Sequence, residues 1–155
     1  MKINGVMTKD AITIDPEAPL GMTLDVMRIK QVCHLPVVEE AGQLVGIMTD
    51  GDLGQATFAP AVAEYLSVRT KRQLRVLGDR LKNLCVRDAM TWVVVQTQPE
   101  APLAQAALTM SERHVGSLPI VDGGKLAGLI TEHDVLAVLS REGGARRFDL
   151  AGCDW

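Results

Sequence analysis

The sequence predicts a mixed α/β (α+β) protein built from two pseudo-symmetric β-α-β-β-α repeats packed together through their sheets. Three observations predict it. Pro16-Glu17-Ala18-Pro19-Leu20 returns letter for letter as Pro99-Glu100-Ala101-Pro102-Leu103, and Met7-Thr8 and Leu35-Pro36 return as Met90-Thr91 and Leu118-Pro119, all 83 residues on. After a one-residue deletion near Glu40 the offset falls to 82, so Gly46, Thr49 and Asp52 match Gly128, Thr131 and Asp134. Each copy passes through the same alternation of β-rich and helix-periodic segments. Each copy alone is also only roughly 55 to 65 residues, too small to bury much of its own surface, so the two are expected to share an interface.

The elements follow in order. Residues 11–14 and 93–96 are β-rich runs lying just ahead of a proline and read as strands. Leu20, Leu24 and Met27, matched by Leu103, Ala107 and Met110, recur at helical spacing and predict an amphipathic helix in each copy, with both methionines in the core. Residues 35–39 and 44–48 flank a turn at Ala41-Gly42, and residues 118–121 and 126–130 flank Gly123-Gly124, which predicts one hairpin per copy. A second helix starts at Asp50 and again at Glu132, completing alternating sheet and helix layers.

Residues 59–84 have no counterpart. Leu74, Leu77, Leu81 and Leu84 share one helical face while Lys71, Arg72, Arg75, Arg80 and Lys82 lie largely off it, predicting a connecting helix with a solvated basic side. The division expected is therefore a first repeat over 1–56, a connecting helix over 57–84, a second repeat over 85–142 and a flexible tail over 143–155.

Composition excludes several classes. A chain of 155 residues, 47% hydrophobic and 23% charged, with a net charge of -3, is globular in character. No run of about 20 apolar residues is present to span a bilayer and no apolar signal core follows Met1-Lys2, so a cytoplasmic protein without a membrane partner is expected. Cys33, Cys85 and Cys153 are scattered and odd in number, which fits reduced thiols, with Cys33 and Cys85 expected in the core. Cys33-His34, His114 and His133 lack metal-ligand spacing, so no metal site is expected. The basic helix face has no interleaved aromatics and belongs to an acidic chain, which argues against nucleic acid. Ser111 and His114 lie a helical turn apart without a nucleophile elbow, and no phosphate-cradling G-x-x-x-x-G-K occurs, so no enzymatic activity is expected.

The strongest local signal is Gly46-Ile47-Met48-Thr49-Asp50-Gly51-Asp52 and its repeat Gly128-Leu129-Ile130-Thr131-Glu132-His133-Asp134. A strand delivers threonine, and three residues later aspartate, to the start of a helix. Helix N-terminal amides and the dipole favour an anion there, while an outward carboxylate accepts ribose hydroxyls, which are the needs of a nucleotide. The same residues also form a capping box, which requires no ligand.

Taken together, the Met-Thr opening, the proline-ended strand, His34-Leu35-Pro36-Val37-Val38 with Ser117-Leu118-Pro119-Ile120-Val121, and G-h-h-T-x-x-D resemble the cystathionine β-synthase (CBS) domain. Two in tandem resemble a Bateman module, over about residues 1–141. The resemblance implies a non-catalytic regulatory module that senses an adenine nucleotide (AMP, ADP or ATP, the last with Mg) in clefts between the repeats, with no other cofactor. Thr131 and Asp134, with His133 between them, would hold the ribose and phosphate of one ligand, whose base packs near Met7 and His34-Leu35-Pro36. Thr49 and Asp52 would serve the other, with Met90 and Ser117-Leu118-Pro119 around its base. Many family members carry arginine between the threonine and the aspartate, where this chain has Gly51 and His133; Lys30 and Arg113, at matched helix ends, are the remaining candidate phosphate contacts. Helical faces left over after the repeats pair predict a homodimer, acting on an unidentified regulated protein. Two other readings stand beside this one: a ligand-free interaction module in which both T-x-x-D segments are only caps, and an S-adenosylmethionine or nucleic-acid binder.

Overall fold

The 83-residue offset of the sequence becomes an exchange in space. In the computed structural model, which describes residues 1–56 and 83–142, the opening segment of each half docks on the other half. Ile3 N–H donates to Ala101 O (3.0 Å), Asn4 N–H to Pro99 O (3.0 Å), and Leu103 N–H to Met1 O (3.1 Å). The matched bonds recur in the second exchange: Val86 N–H to Ala18 O (2.9 Å), Arg87 N–H to Pro16 O (3.0 Å), and Leu20 N–H to Leu84 O (3.0 Å). The repeated Pro-Glu-Ala-Pro-Leu segment is thus a docking strip for the partner half's opening. Its glutamates complete the contact, Glu100 with Lys2 (2.6 Å) and Asn4 (2.9 Å), and Glu17 with Arg87.

A 3-10 turn over Ile3–Gly5 is followed by α1 (Leu20–Lys30), β1 (His34–Val38), β2 (Leu44–Thr49) and a helix α2 that starts at residue 50 and is described to residue 56. The second half runs α3 (Val86–Ala89), α4 (Leu103–Arg113), β3 (Ser117–Asp122), β4 (Lys125–Thr131) and α5 (Glu132–Glu142). The two hairpins are antiparallel, with His34 opposite Thr49 and Ser117 opposite Thr131. The one-residue deletion lies in the hairpin turn. The first turn closes with Gly42 at φ 79°, whereas the second is a two-residue loop with Gly123 and Gly124 at φ 55° and 81°, a left-handed pair that glycine adopts without steric cost. The mixed fold with two small antiparallel sheets is as the sequence predicts.

The strands expected at 11–14 and 93–96 are reduced to a single parallel rung each, at Ile14 and Thr97. Ile14 N–H donates to Pro36 O (3.1 Å) and Val38 N–H to Ile14 O (3.0 Å); Thr97 repeats this with Pro119 O (3.0 Å) and Val121 (2.9 Å). The next rung on one side would need an N–H from residue 36 or 119, and on the other from residue 16 or 99. All four are prolines, which have none to give.

Each half contributes to the other's core. Val86 and Met90 join the first cluster, around Leu35, Val37 and Met48; Ile3 joins the second, around Leu118, Ile120 and Ile130. The buried stripe of α1 is Leu20, Thr23 and Met27, while Leu24, expected inside, is 46% exposed. The helix is rotated by one position so that Thr23 is enclosed, its hydroxyl 3.5 Å from Pro19 O. Cys33 is exposed, in the connection after the left-handed Gln31, and Cys85 is half-buried at the N-cap of α3, so neither is the core residue expected. Leu84 is not helical: its carbonyl accepts from Leu20 N–H (3.0 Å), so the expected connecting helix does not reach it. The remainder of that helix (57–82) and the expected tail (143–155) lie outside the described residues.

The Met-Thr segments close the exchange. Thr8 and Leu129 bond reciprocally (2.9 and 3.0 Å), as do Thr91 and Ile47 (2.9 and 3.0 Å). A Cβ at Gly128 would sit 2.5 Å from the Thr8 carbonyl oxygen, and one at Gly46 would sit 2.6 Å from Met90 Sδ. Both glycines of the G-h-h-T-x-x-D segments are there because the other half's backbone crosses them.

Candidate ligand-binding clefts

Thr49 ends β2 and caps α2. Its N–H and hydroxyl both donate to Asp52 Oδ2 (2.9 Å each), and Asp52 N–H donates back to Thr49 Oγ1 (3.1 Å). The second copy is the same: Thr131 N–H and Oγ1 to Asp134 Oδ2 at 2.9 and 2.7 Å, and Asp134 N–H to Thr131 Oγ1 at 3.3 Å. These are reciprocal capping boxes. They use one carboxylate oxygen of each aspartate. Asp134 Oδ1 has no partner among the described residues, and Asp52 Oδ1 receives only a long contact from Thr91 Oγ1 (3.4 Å). Capping and hydroxyl recognition are therefore compatible in one side chain.

A cleft of about 300 Å³ opens beside the first cap. One wall is Thr49, Asp50, Gly51 and Asp52, with His34 and Ile47 next to them. The opposite wall comes wholly from the second half: Thr91 and Val93–Val95 from its opening, and His114, Val115, Gly116 and Ser117 from the connection between α4 and β3. A second cleft, about 260 Å³, places Asp134, Ala137, Val138 and Arg141 of α5 against Met1, Gly5 and Val6. Each cleft mixes the two halves.

Of the residues singled out from the sequence, Thr49, Asp52, His34 and Ser117 meet in the first cleft, and Asp134 lines the second. His34 stands with Asp52 instead of Asp134, because β1 and β3 begin side by side: a Cβ on Gly116 would lie 3.3 Å from His34 Nε2. Leu35 and Leu118 are 0% exposed and Pro36 and Pro119 are equally enclosed, so these side chains form core and only the strand's first residue reaches the cleft. Met90 is buried beneath Gly46, and half-buried Met7 packs on the second core cluster. Thr131 is half-buried and acts on Asp134; His133 is exposed, and neither borders the two clefts described. Lys30 and Arg113 end their helices exposed and border neither cleft.

Sequence reasoning missed Asp50, Thr91, Val93–Val95 and His114 as lining residues. The one usable signal was at Thr91, matched to Thr8 by the repeat. His114 reaches the cleft because it ends α4 in a left-handed conformation (φ 54°), which turns the chain toward β3. Among the described residues no group of His, Cys, Asp and Glu is arranged to hold a metal ion, and no helix is long and apolar enough to cross a membrane.

The CBS domain family matches this chain twice, over residues 3–56 and 86–141. The chain belongs to the CBS domain family. A CBS domain-containing protein of Dictyostelium discoideum is 31% identical over 138 residues, 88% of this chain and 90% of that one. Among solved structures, the CBS-pair protein CBSX2 of Arabidopsis thaliana in complex with AMP is 25% identical with a TM-score of 0.73, covering 92% of this chain and 98% of that one. A CBS domain pair in complex with 5′-methylthioadenosine and S-adenosyl-L-methionine has a TM-score of 0.72 at 22% identity, covering 92% of this chain and 98% of that one, and shares the fold. The CBS pair also matches part of longer proteins: it spans 23% of the inosine-5'-monophosphate dehydrogenase of Methanocaldococcus jannaschii, at 31% identity over 136 residues.

Proposed function

We propose that this CBS pair is a regulatory ligand-sensing module that binds an adenine nucleotide, AMP, ADP or ATP, between its repeats and signals by a change in their relative geometry. The observation that carries the reading is the first cleft: a capped aspartate with an outward oxygen on one half faces an apolar wall supplied by the other. The AMP-bound relative of the same fold supports it. A ligand touching both halves shifts their arrangement by its difference in affinity for the two states, which is the physical content of sensing. The module is proposed to act on an unidentified regulated protein, and the cytoplasm is its proposed compartment. Exposed apolar side chains, Leu24 and Ile29 on α1 and Leu136 and Leu139 on α5, support a proposed homodimer.

Thermal unfolding with AMP, ADP, ATP and S-adenosylmethionine tests this. A ligand at about 100 times its Kd is expected to stabilise the chain by about 2.7 kcal/mol, a rise of roughly 5–10 °C at this size. Asp52→Ala or Asp134→Ala is expected to remove that rise while costing about 1 kcal/mol as a lost cap. If no ligand raises the Tm of chain free of co-purified nucleotide, the ligand-free interaction module replaces this reading.

A further inference from the structure

We propose that Thr91, carried across from the second half, is a specificity-determining residue of the first cleft: its hydroxyl and the outward oxygen of Asp52 form one recognition pair for a vicinal diol, so that the ribose of a bound nucleotide is read by both halves at once. The proposal rests on the preceding reading that the cleft takes an adenine nucleotide, and adds the residue that reads its sugar.

Placement is the first argument. Thr91 N–H donates to Ile47 O (2.9 Å) and Ile47 N–H to Thr91 O (3.0 Å), two residues before the cap begins at Thr49. Those bonds pin the Thr91 backbone and leave its side chain only χ1 to turn. Asp52 is equally constrained, because its Oδ2 accepts from both Thr49 N–H and Thr49 Oγ1 (2.9 Å each). Between the two, Thr91 Oγ1 stands 3.4 Å from Asp52 Oδ1, and both residues line the cleft.

The second argument is that the fold does not need this contact. At Thr131–Asp134 the cap is complete, and Thr8 is bonded to Leu129 (2.9 and 3.0 Å) as Thr91 is to Ile47, yet no bond joins Thr8 Oγ1 to Asp134 among the described residues. The Thr91 contact is also longer than the about 2.5–2.7 Å usual for a hydroxyl on a carboxylate, and the side chain is exposed. The two oxygens are close enough to act together and loose enough to admit a third group.

The third argument is their chemistry. A carboxylate oxygen only accepts, whereas a threonine hydroxyl donates one hydrogen and accepts through its lone pairs. With the Thr91 hydrogen directed at Asp52 Oδ1, Thr91 Oγ1 becomes a second acceptor beside the first. One hydroxyl of a cis diol donates to Oδ1 and its neighbour donates to Thr91 Oγ1, each bond strengthening the next. A sugar with a single hydroxyl satisfies only one member of the pair. Asp52 belongs to the first half and Thr91 to the second, so the strength of sugar binding depends on how the halves sit, which is the difference in affinity that sensing requires.

Isothermal titration of the full chain with AMP, ADP, ATP and their 2′-deoxy and 3′-deoxy forms tests the assignment, in wild type and in Asp52→Ala, Thr91→Val, Thr91→Ser and Thr8→Val. Thr91→Val keeps the backbone bonds to Ile47 and removes only the hydroxyl, so its Tm without nucleotide is expected to match wild type. Wild type is expected to bind a ribonucleotide at least about fivefold more tightly than one of its deoxy forms. Thr91→Val weakens the ribonucleotide by a similar factor and abolishes that deoxy penalty, Thr91→Ser restores both, and Thr8→Val changes neither. Equal binding of ribose and deoxyribose forms by wild type overturns the proposal alone, as does a deoxy penalty that survives Thr91→Val or Asp52→Ala. Absence of binding by all these nucleotides to folded wild-type chain overturns it together with the reading on which it rests.

Discussion

At Thr49–Asp52 and at Thr131–Asp134 the chain builds the same cap within a few tenths of an ångström, yet the residues between the capping pair differ: Asp50-Gly51 in the first and Glu132-His133 in the second. The cap is bound to folding, since it satisfies helix amides that would otherwise lack partners. The intervening side chains are exposed in both copies and are free to diverge. The same division holds along the chain. The most faithfully repeated segment, Pro16–Leu20 and Pro99–Leu103, stands away from both clefts and receives the other half's opening, so what duplication has kept alike is the exchange that holds the halves together.

The comparison is most strongly tested in the core. Leu35→Ala and Leu118→Ala remove matched, fully buried side chains, and each is expected to cost about 2–5 kcal/mol. Because each core contains residues of the other half, both variants are expected to lose stability in a single urea transition; two separate transitions would show that the halves fold independently.

The glycine crossings are expected to be unequal. Gly128→Ala drives a Cβ against a backbone oxygen at 2.5 Å, whereas at Gly46 the nearest atom is the flexible end of Met90 at 2.6 Å and the crossing backbone, Thr91 O, stands farther off at 3.0 Å. Gly128→Ala should cost about 1–3 kcal/mol and Gly46→Ala less. Urea midpoints measure the difference, and equal shifts would mean that Met90 and the Thr91 carbonyl hold Gly46 as tightly as the Thr8 carbonyl holds Gly128.

The docking-strip ion pairs give the smallest effect and the clearest sign. The hydrogen bond and then the charge of Glu100 raise the Lys2 pKa above its ordinary 10.5. A raised lysine stabilises fully below its unfolded value and loses that contribution as pH climbs through the folded one. The first half uses Arg87 with Glu17 instead, a permanently charged guanidinium where the second half has an amine. Lys2→Met should therefore differ slightly from wild type at pH 8 and not at a pH above the Lys2 titration, whereas the cost of Arg87→Met should persist at both; thermal unfolding at the two pH values reads this. Convergence of both variants with wild type at high pH would remove the distinction.

Much of the fold was legible because it is written in short-range chemistry. Hairpins declared themselves by glycines in the turns, helix starts by threonine and aspartate three apart, and the pairing of halves by the repeat. The cleft was legible where it follows from the cap, at Thr49, Asp52 and Asp134. It was not legible at Val93–Val95 or His114, whose places are set by chain more than 40 residues away from the first cap. Periodicity placed Leu24 on the buried stripe where the structure encloses Thr23, since adjacent stripes of one helix differ only in what packs on them.

The sequence by itself determined the duplication, the turns, the caps and the family, because each is carried by residues close together in the chain or by the match between copies. Only the tertiary structure decided that each opening crosses to the other half, that the prolines trim the parallel ladder to one rung, and which side chains face the cleft. Both halves carry the same docking strip, while their openings share Met-Thr and differ elsewhere, Lys2, Ile3 and Asn4 standing where the other has Cys85, Val86 and Arg87; the path of the intact chain through space brings each opening across.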